Sequence, residues 1–102
     1  MKEFLLYVDD LRTPPNILKQ NYNIIICRNY KETIYELNKR RCKVIDLDHD
    51  LGEEKTGYDI CKFILENHIP LNKVHIHTSN PVGRNNMIQL LQRYYNIPLE
   101  IY

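Results

Sequence analysis

Disulfide pairs are the first feature that the sequence lacks. Its three cysteines, Cys27, Cys42 and Cys61, form no Cys-x-x-Cys pair and are odd in number. This argues against a disulfide framework and for a reducing compartment. Each cysteine lies among apolar neighbours, so we interpret all three as small core residues and not as nucleophiles.

A large net charge and long hydrophobic runs are also missing. The formal net charge is +1, so no global field attracts the chain to nucleic acid or acidic lipid, and an anionic ligand would need a local site. The apolar run before Asp9 is too short for a signal peptide, and no later run reaches membrane-span length. We therefore expect one soluble, cytoplasmic domain over residues 1–102, with no membrane partner and no extended nucleic-acid-binding surface. The oligomeric state stays open.

Repeats, low-complexity tracts and linkers are absent too, and short apolar runs alternate instead with helical patterns. Pro14 and Pro15 leave room for one short helix at most within residues 11–22. This alternation predicts right-handed βαβ units and an α/β fold with a doubly wound parallel sheet. The predicted strands span residues 4–8, 24–27, 43–47, 74–78 and, more weakly, 99–102, and the longer predicted helices span residues 30–41, 56–68 and 82–95.

Polar residues gather where the predicted strands end. Asp9 and Asp10 follow the first strand, and residues 48–50 (Asp-His-Asp, within the stretch DLDHDLG) follow the third. Residues 77–80 (His-Thr-Ser-Asn) end the fourth. In doubly wound sheets ligands bind beyond the carboxyl ends of the strands. The three clusters are therefore predicted to form one site.

The acidic residues of this site predict a metal ion. Asp9, Asp10 and Asp48 would repel one another in a partly dry cleft unless a cation or shifted pKa values compensated. Carboxylate oxygens suit Mg²⁺ or Mn²⁺. The alternative is that one or two of these aspartates are turn or cap residues. Asp46 lies two residues before Asp48 and points the same way along the strand. It either takes part in the site or forms a structural pair with a basic residue such as Lys43.

The histidines are the candidates for proton transfer, because imidazole titrates near neutral pH. We predict His49 and His77 as base and acid, with Asp50 orienting an imidazole. His75, further from the strand end, is interpreted as a core residue. His77 begins a His-x-Ser half-motif of two-histidine phosphoesterases, but no second His-x-Ser/Thr occurs in the chain.

Two arginines and a helix N-terminus predict a phosphate-binding site. Arg12 follows the first acidic pair in a proline-stiffened loop, and Arg84 falls in the first turn of the helix after Ser79 and Asn80. Free N–H groups at a helix N-terminus favour an anion, and Gly83 allows close backbone approach. Arginine forks match phosphate oxygens.

Paired acids after the first strand, Asp48 after the third and Thr78-Ser79 after the fourth resemble the receiver domains of two-component signalling. That resemblance implies a sheet in the order 2-1-3-4-5 (receiver, or flavodoxin-like, topology) and phosphoryl transfer to Asp48 beside Mg²⁺. The chain departs from it, because no lysine follows Lys73 and the chain ends after the fifth strand, without a receiver's fifth helix.

Three stretches, VDDLRTPP, DLDHDLG…TGYD and HTSNPVGRNNM, are more similar to the cyclic-phosphate processing receiver-like family. This resemblance implies a metal-assisted phosphoesterase that acts on 2′,3′-cyclic phosphate ends of RNA or nucleotides, or on a cyclic nucleotide signal. Asp9, Asp10 and Asp48 would hold Mg²⁺ or Mn²⁺. The alternatives are a signalling receiver phosphorylated on Asp48 and a pocket that binds a cyclic nucleotide without hydrolysing it.

Overall fold

The predicted alternation of strands and helices is present in a computed structural model, which describes residues 2–94 and 99–101. Residues 95 and 102, predicted to end the last helix and strand, lie outside the described residues. The strands are β1 (Phe4–Val8), β2 (Asn23–Cys27), β3 (Val44–Leu47), β4 (Lys73–Ile76) and β5 (Leu99–Ile101), and the helices are α1 (Asn16–Asn21), α2 (Tyr30–Lys39), α3 (Gly57–Glu66) and α4 (Pro81–Tyr94).

The five strands form one parallel sheet in the order β2-β1-β3-β4-β5. This confirms the predicted fold class and strand order. The register pairs Val8 with Leu47 and Leu47 with Ile76. Neighbouring strands therefore end level with one another, and the residues that follow them, Asp9 and Asp48 among them, emerge side by side at one edge of the sheet.

Helices cover both faces of the sheet, as a doubly wound fold requires. On one face Leu5, Tyr7 and Val44 pack against Leu18 of α1. On the other face the alternate strand residues pack against buried side chains of α2, α3 and α4. The strands contribute Leu6, Val8, Ile45, Leu47, Val74 and Ile76, and the helices contribute Leu37, Ile60, Ile64 and Met87.

The helix boundaries follow from local sequence signals. Asn29 caps α2 by accepting a hydrogen bond from the Glu32 N–H. Thr56 and Asp59 form the predicted capping box of α3, in which the Asp59 carboxylate accepts the Thr56 N–H at 2.8 Å. After Pro14 and Pro15, α1 has only six residues. Among the described residues no helix is long and apolar enough to cross a membrane.

All three cysteines are buried and free, as predicted. Burial raises the pKa of the Cys27 and Cys61 thiols to about 12. Both side chains are therefore neutral at physiological pH and serve as packing residues.

Candidate functional site

The sheet register brings Asp9, Asp48 and His77 together. Each is the first residue after a strand, and each is buried. One ligand atom from each residue lies within 4.8 Å of the others. We call these three residues the carboxylate–imidazole cluster.

Asp10, predicted as a third carboxylate ligand, lies outside this cluster. Its side chain is directed toward Gly52, where an added Cβ would lie 2.9 Å from Asp10 Oδ2. Gly52 has φ +69°, a conformation that glycine adopts without strain. The third donor of the cluster is His77, which we predicted from the sequence only as a group for proton transfer.

His77 is held between two carboxylates. Its Nδ1 makes a very short contact with Asp46 Oδ1, and its Nε2 lies 2.9 Å from Asp9 Oδ2. The Tyr7 ring stacks on the imidazole with centroids 4.8 Å apart. Burial alone would lower the pKa of His77, but the hydrogen bond and negative charge of Asp46, and then the bond to Asp9, raise it above its ordinary value. An imidazolium that donates from both nitrogens fits this geometry.

Asp46 is paired with histidines and not with Lys43, the base named as its alternative partner. Lys43 donates its Nζ to the Arg40 carbonyl, whereas an Asp46 carboxylate oxygen lies 3.5 Å from His75 Nδ1 on the neighbouring strand. Burial alone would raise the pKa of Asp46, but hydrogen bonds from His75 and His77 hold it below its ordinary value. His75 is buried, in agreement with its interpretation as a core residue.

Asp9 is fixed by the loop that follows β1. Its Oδ1 accepts the backbone N–H groups of Leu11 and Arg12, at 2.9 and 2.8 Å, and Arg12 Nε lies 3.8 Å from Oδ2. Burial alone would raise the pKa of Asp9, but these backbone hydrogen bonds and His77 lower it. Asp9 is therefore an ionised carboxylate at neutral pH.

Arg28 is a site residue that the sequence analysis missed. It follows β2 at the same edge of the sheet, and its Nη1 donates to the carbonyls of Asp9 and Arg12. These bonds tie the loop after β1 to the end of β2. The signal was available, because Arg28 ends an apolar run in the same way that Asp9 and Asp48 do.

Asp48 lies beside Thr78 at the ends of β3 and β4. Burial raises the pKa of Asp48, and hydrogen bonds from the Thr78 side chain and the His49 N–H, the latter at 2.7 Å, oppose the shift without cancelling it. Gly57 packs directly on this turn, since a Cβ there would lie 2.1 Å from the Asp48 carbonyl oxygen. Any larger residue at position 57 would displace the Asp48 backbone.

A second group, made of His49, Asp50 and Asn80, lies at the same edge. His49 Nδ1 is 3.0 Å from Asp50 Oδ1, and Asn80 Nδ2 is 3.3 Å from Asp50 Oδ2. Asp50 therefore has the contact that its predicted orienting role requires. A carboxylate at Nδ1 favours the tautomer with the proton on Nδ1, which leaves Nε2 as the basic nitrogen. We call His49 and Asp50 the imidazole–carboxylate pair.

The N-terminus of α4 borders this pair. Asn80 Oδ1 accepts the Gly83 N–H at 2.9 Å, and the Thr78 hydroxyl accepts the Asn80 N–H at 3.2 Å. Ser79 is exposed and Arg84 is half-buried in the first turn of α4. Among the described residues, no hydrogen bond reaches the Ser79 hydroxyl or the Arg84 guanidinium, so both are available to a ligand.

The carboxylate–imidazole cluster fits a divalent cation. Two carboxylates and one imidazole, all buried and with ligand atoms within 4.8 Å of one another, form the oxygen-and-nitrogen donor set that suits Mn²⁺ and other first-row metals better than Mg²⁺. Binding through His77 Nε2 requires loss of the proton shared with Asp9. Acidic pH should therefore weaken such a site.

The model of the cyclic-phosphate processing receiver domain matches residues 4–93 of this chain. The matched region contains every residue of the carboxylate–imidazole cluster, the imidazole–carboxylate pair and the α4 N-terminus. No curated protein matches the sequence significantly.

Solved structures similar to this chain include several receiver domains. The signal receiver domain of a Luxo repressor protein from Vibrio parahaemolyticus has a TM-score of 0.73 at 22% identity, covering 99% of this chain and 78% of that one. The CheY-like receiver domain of a response regulator from Methylobacillus flagellatus has a TM-score of 0.67 at 13% identity, covering 98% and 86%. At these identities the likeness establishes the receiver fold.

A third structure is a response regulator from Burkholderia pseudomallei with a phosphorylated aspartic acid, a calcium ion and citrate. It has a TM-score of 0.66 at 11% identity and covers 98% of this chain and 59% of that one. In that protein the receiver fold occurs together with a divalent cation and a phosphorylated carboxylate.

Proposed function

Since this chain belongs to the cyclic-phosphate processing receiver family, we propose that it is a metal-assisted phosphoesterase that opens cyclic phosphodiesters. Its substrates would be 2′,3′-cyclic ends of RNA or nucleotides, or a cyclic nucleotide signal. One observation carries the proposal: the carboxylate–imidazole cluster and the separate imidazole–carboxylate pair lie at one edge of the sheet. Diester hydrolysis needs both charge stabilisation and proton transfer, and the two groups supply one each.

The carboxylate–imidazole cluster is the cation site of this proposal. Asp9, Asp48 and His77 would hold the ion, which would polarise the phosphoryl group and neutralise charge in the transition state. The hydrogen bonds to Asp9 from the loop after β1, and to Asp48 from Thr78 and the His49 N–H, keep the carboxylates in place. A preformed arrangement of this kind needs no reorganisation when a substrate binds.

His49 is the proton-transfer group. Asp50 orients its ring through Nδ1, so Nε2 is free to take a proton from an attacking water and return it to the leaving ribose oxygen. Both nitrogens of His77, the second predicted proton-transfer residue, face carboxylates. That geometry favours His77 as a cation ligand, so in this proposal His49 alone transfers the proton.

In this proposal the phosphate contacts come from Arg12, Arg84 and Ser79. Arg12 is more than half exposed and lies beside Asp9, and Arg84 has no competing partner among the described residues. Ser79 precedes the helix with an exposed hydroxyl. The guanidinium groups of Arg12 and Arg84 would stabilise an anionic phosphate.

A second function is favoured by the contact between Asp48 and Thr78. A carboxylate at the end of β3 with a hydroxyl beside it is the arrangement that the resemblance to receiver domains assigns to phosphoacceptors. Transfer from a small phosphodonor would leave an acyl phosphate on Asp48. Such a receiver would not need His49.

A panel of cyclic nucleotides tests the proposed function. The protein is incubated with 2′,3′-cyclic and 3′,5′-cyclic nucleotides in Mn²⁺, Mg²⁺ or EDTA, and release of the monoester is measured. We expect metal-dependent turnover of at least one linkage. Retention of the ligand without turnover would instead indicate a binding module, and no interaction with any member would contradict the proposal.

A further inference from the structure

A pocket opens beside the cation site, on the face of the sheet that α1 covers. Its volume is about 260 Å³, and its lining includes Tyr7, Arg12, Thr13, Ile17, Leu18 and His77. Arg12 and His77 belong to the pocket and also contact Asp9. A ligand with its phosphate at the cation site can therefore extend directly into the pocket.

The walls of the pocket combine apolar surface with a few polar groups. Ile17, 61% exposed, stands at the rim, and Leu18 is buried behind it. Tyr7 is 3% exposed, and among the described residues no hydrogen bond reaches its hydroxyl. The Thr13 hydroxyl likewise makes no hydrogen bond with any described residue. Two hydroxyls with unused hydrogen-bonding capacity therefore line the pocket, together with the apolar side chains of Pro15, Ile17 and Leu18 and the charged or titratable groups of Arg12, Asp46 and His77.

The Tyr7 phenol contributes one of the hydroxyls that line the pocket. A phenolic hydroxyl can both donate to and accept from a ligand. It suits the edge of a heteroaromatic ring, which carries donors and acceptors in one plane.

We propose that this pocket binds the nucleobase of the substrate, with the sugar bridging past Arg12 to a phosphate at the carboxylate–imidazole cluster. The inference rests on the proposed function and adds to it a separate site that binds the base. A nucleobase has apolar faces for Ile17 and Leu18 and polar edges for Tyr7 and Thr13.

The size of the pocket sets how much of a nucleotide it holds. Pockets for drug-sized ligands have volumes of roughly 300–1,000 Å³, and this one is slightly smaller. It accommodates one base and not a stacked pair of bases. The pocket therefore recognises a single terminal nucleoside. A cyclic phosphate without a base binds only at the cation site.

Nuclear magnetic resonance tests the pocket independently of turnover. Amide shifts of the ¹⁵N-labelled His49→Gln variant, which should bind the ligands without turning them over, are followed in Mg²⁺ during titration with a nucleoside 2′,3′-cyclic phosphate, glycerol 1,2-cyclic phosphate and the free nucleoside. The nucleotide should shift both residues 13–18 and residues 48–50, the glycerol phosphate only residues 48–50, and the nucleoside only residues 13–18.

Two variants sharpen the test. Ile17→Trp fills the rim and Tyr7→Phe removes a hydroxyl that lines the pocket, and each should weaken nucleotide binding about tenfold while leaving glycerol cyclic phosphate binding unchanged. Ile26→Trp is the matched control, because Ile26 is 43% exposed on β2 and does not line this pocket. It should bind every ligand as the native protein does.

The outcomes separate the pocket from the proposed function. Shifts at residues 13–18 with the nucleoside, but none at residues 48–50 with either cyclic phosphate, would support the pocket and contradict the phosphoesterase. Nucleotide shifts confined to residues 48–50, or equal affinities for the nucleotide in the native protein and Ile17→Trp, would overturn the pocket and leave the phosphoesterase standing. No shift with any ligand would contradict both.

Discussion

The imidazole of His49 packs on the backbone of Gly83 in the first turn of α4. A Cβ at Gly83 would lie 2.4 Å from His49 Cγ and 2.6 Å from Nδ1. These distances are below van der Waals contact, so position 83 has no room for a side chain while His49 keeps this orientation. Asp50 fixes the same ring from another direction. The direction in which His49 Nε2 points thus depends on two neighbours.

The first prediction concerns Gly83→Ala. In a helix this change ordinarily stabilises by about 1 kcal/mol, but here the added methyl group must displace the His49 ring. We expect no gain in stability, a shifted His49 side-chain resonance and a loss of turnover approaching that of His49→Ala. Asn85→Ala, at an exposed position of the same helix, is the control and should be no less active than the native protein. A Gly83→Ala protein that is more stable and fully active would contradict the packing of His49 on Gly83.

The second prediction separates the cluster seen in the structure from the three aspartates expected from the sequence. Millimolar Mn²⁺ should raise the melting temperature by mass action. In a domain of this size, each kcal/mol of added stability raises the melting temperature by about 4–8 °C. Asp9→Asn, Asp48→Asn and His77→Ala should each remove most of that increase. Asp10→Asn should retain it, because Asp10 is directed toward Gly52. A response lost in Asp10→Asn but kept in His77→Ala would restore the sequence-based ligand set.

The third prediction is the pH dependence of stability without metal. The pKa of His77 is raised in the folded protein, so its stabilising contribution is complete below about pH 6.5 and is lost as the pH rises through the raised value. The pKa of Asp46 is lowered, so its contribution is present above about pH 4 and is lost as the pH falls. Urea denaturation in EDTA should therefore give a maximum of stability between these limits. His77→Gln should abolish the decrease on the alkaline side, and an unchanged alkaline limb would show that His77 is not the titrating group.

The sequence predicted the fold and the location of the site because both depend on short-range patterns. Apolar runs ending in polar clusters located the carboxyl edge of the sheet, and the observed register pairs Val8, Leu47 and Ile76 across β1, β3 and β4. The capping signals at Asn29 and Thr56 likewise depend only on near neighbours.

The partners of individual side chains could not be predicted in the same way, because they depend on contacts across strands. Asp46 contacts His77 from 31 residues away, and His77 contacts Asp9 from 68 residues away. No local pattern distinguishes these pairs from Asp46 with Lys43 or from Asp9 with Asp10. Asp10 likewise lies against the left-handed turn at Gly52, a contact between two loops that no local pattern indicates.

The fourth prediction concerns His49. Loss of a general acid–base group typically lowers the rate about a hundred- to ten-thousand-fold. His49→Gln should therefore lower turnover of a cyclic phosphodiester by about that factor and leave both ligand binding and the Mn²⁺ response unchanged. His68→Asn is the control, because His68 is exposed and has positive φ, which asparagine tolerates. Full activity of His49→Gln would exclude His49 as the proton-transfer group.

Phosphorus NMR tests most directly whether the chain is an esterase or a phosphoacceptor. A nucleoside 2′,3′-cyclic phosphate is mixed with substoichiometric protein and Mn²⁺, the reaction is quenched at intervals with EDTA, and the spectrum is recorded for the native protein and for Asp48→Ala. We predict that the cyclic phosphate signal is replaced by that of a monoester over many turnovers, and that Asp48→Ala or EDTA added at the start prevents this. Two results together would contradict the proposed esterase and establish a receiver. The cyclic phosphate would stay unchanged, and Asp48 would form a stable acyl phosphate from a small phosphodonor both in the native protein and in His49→Gln.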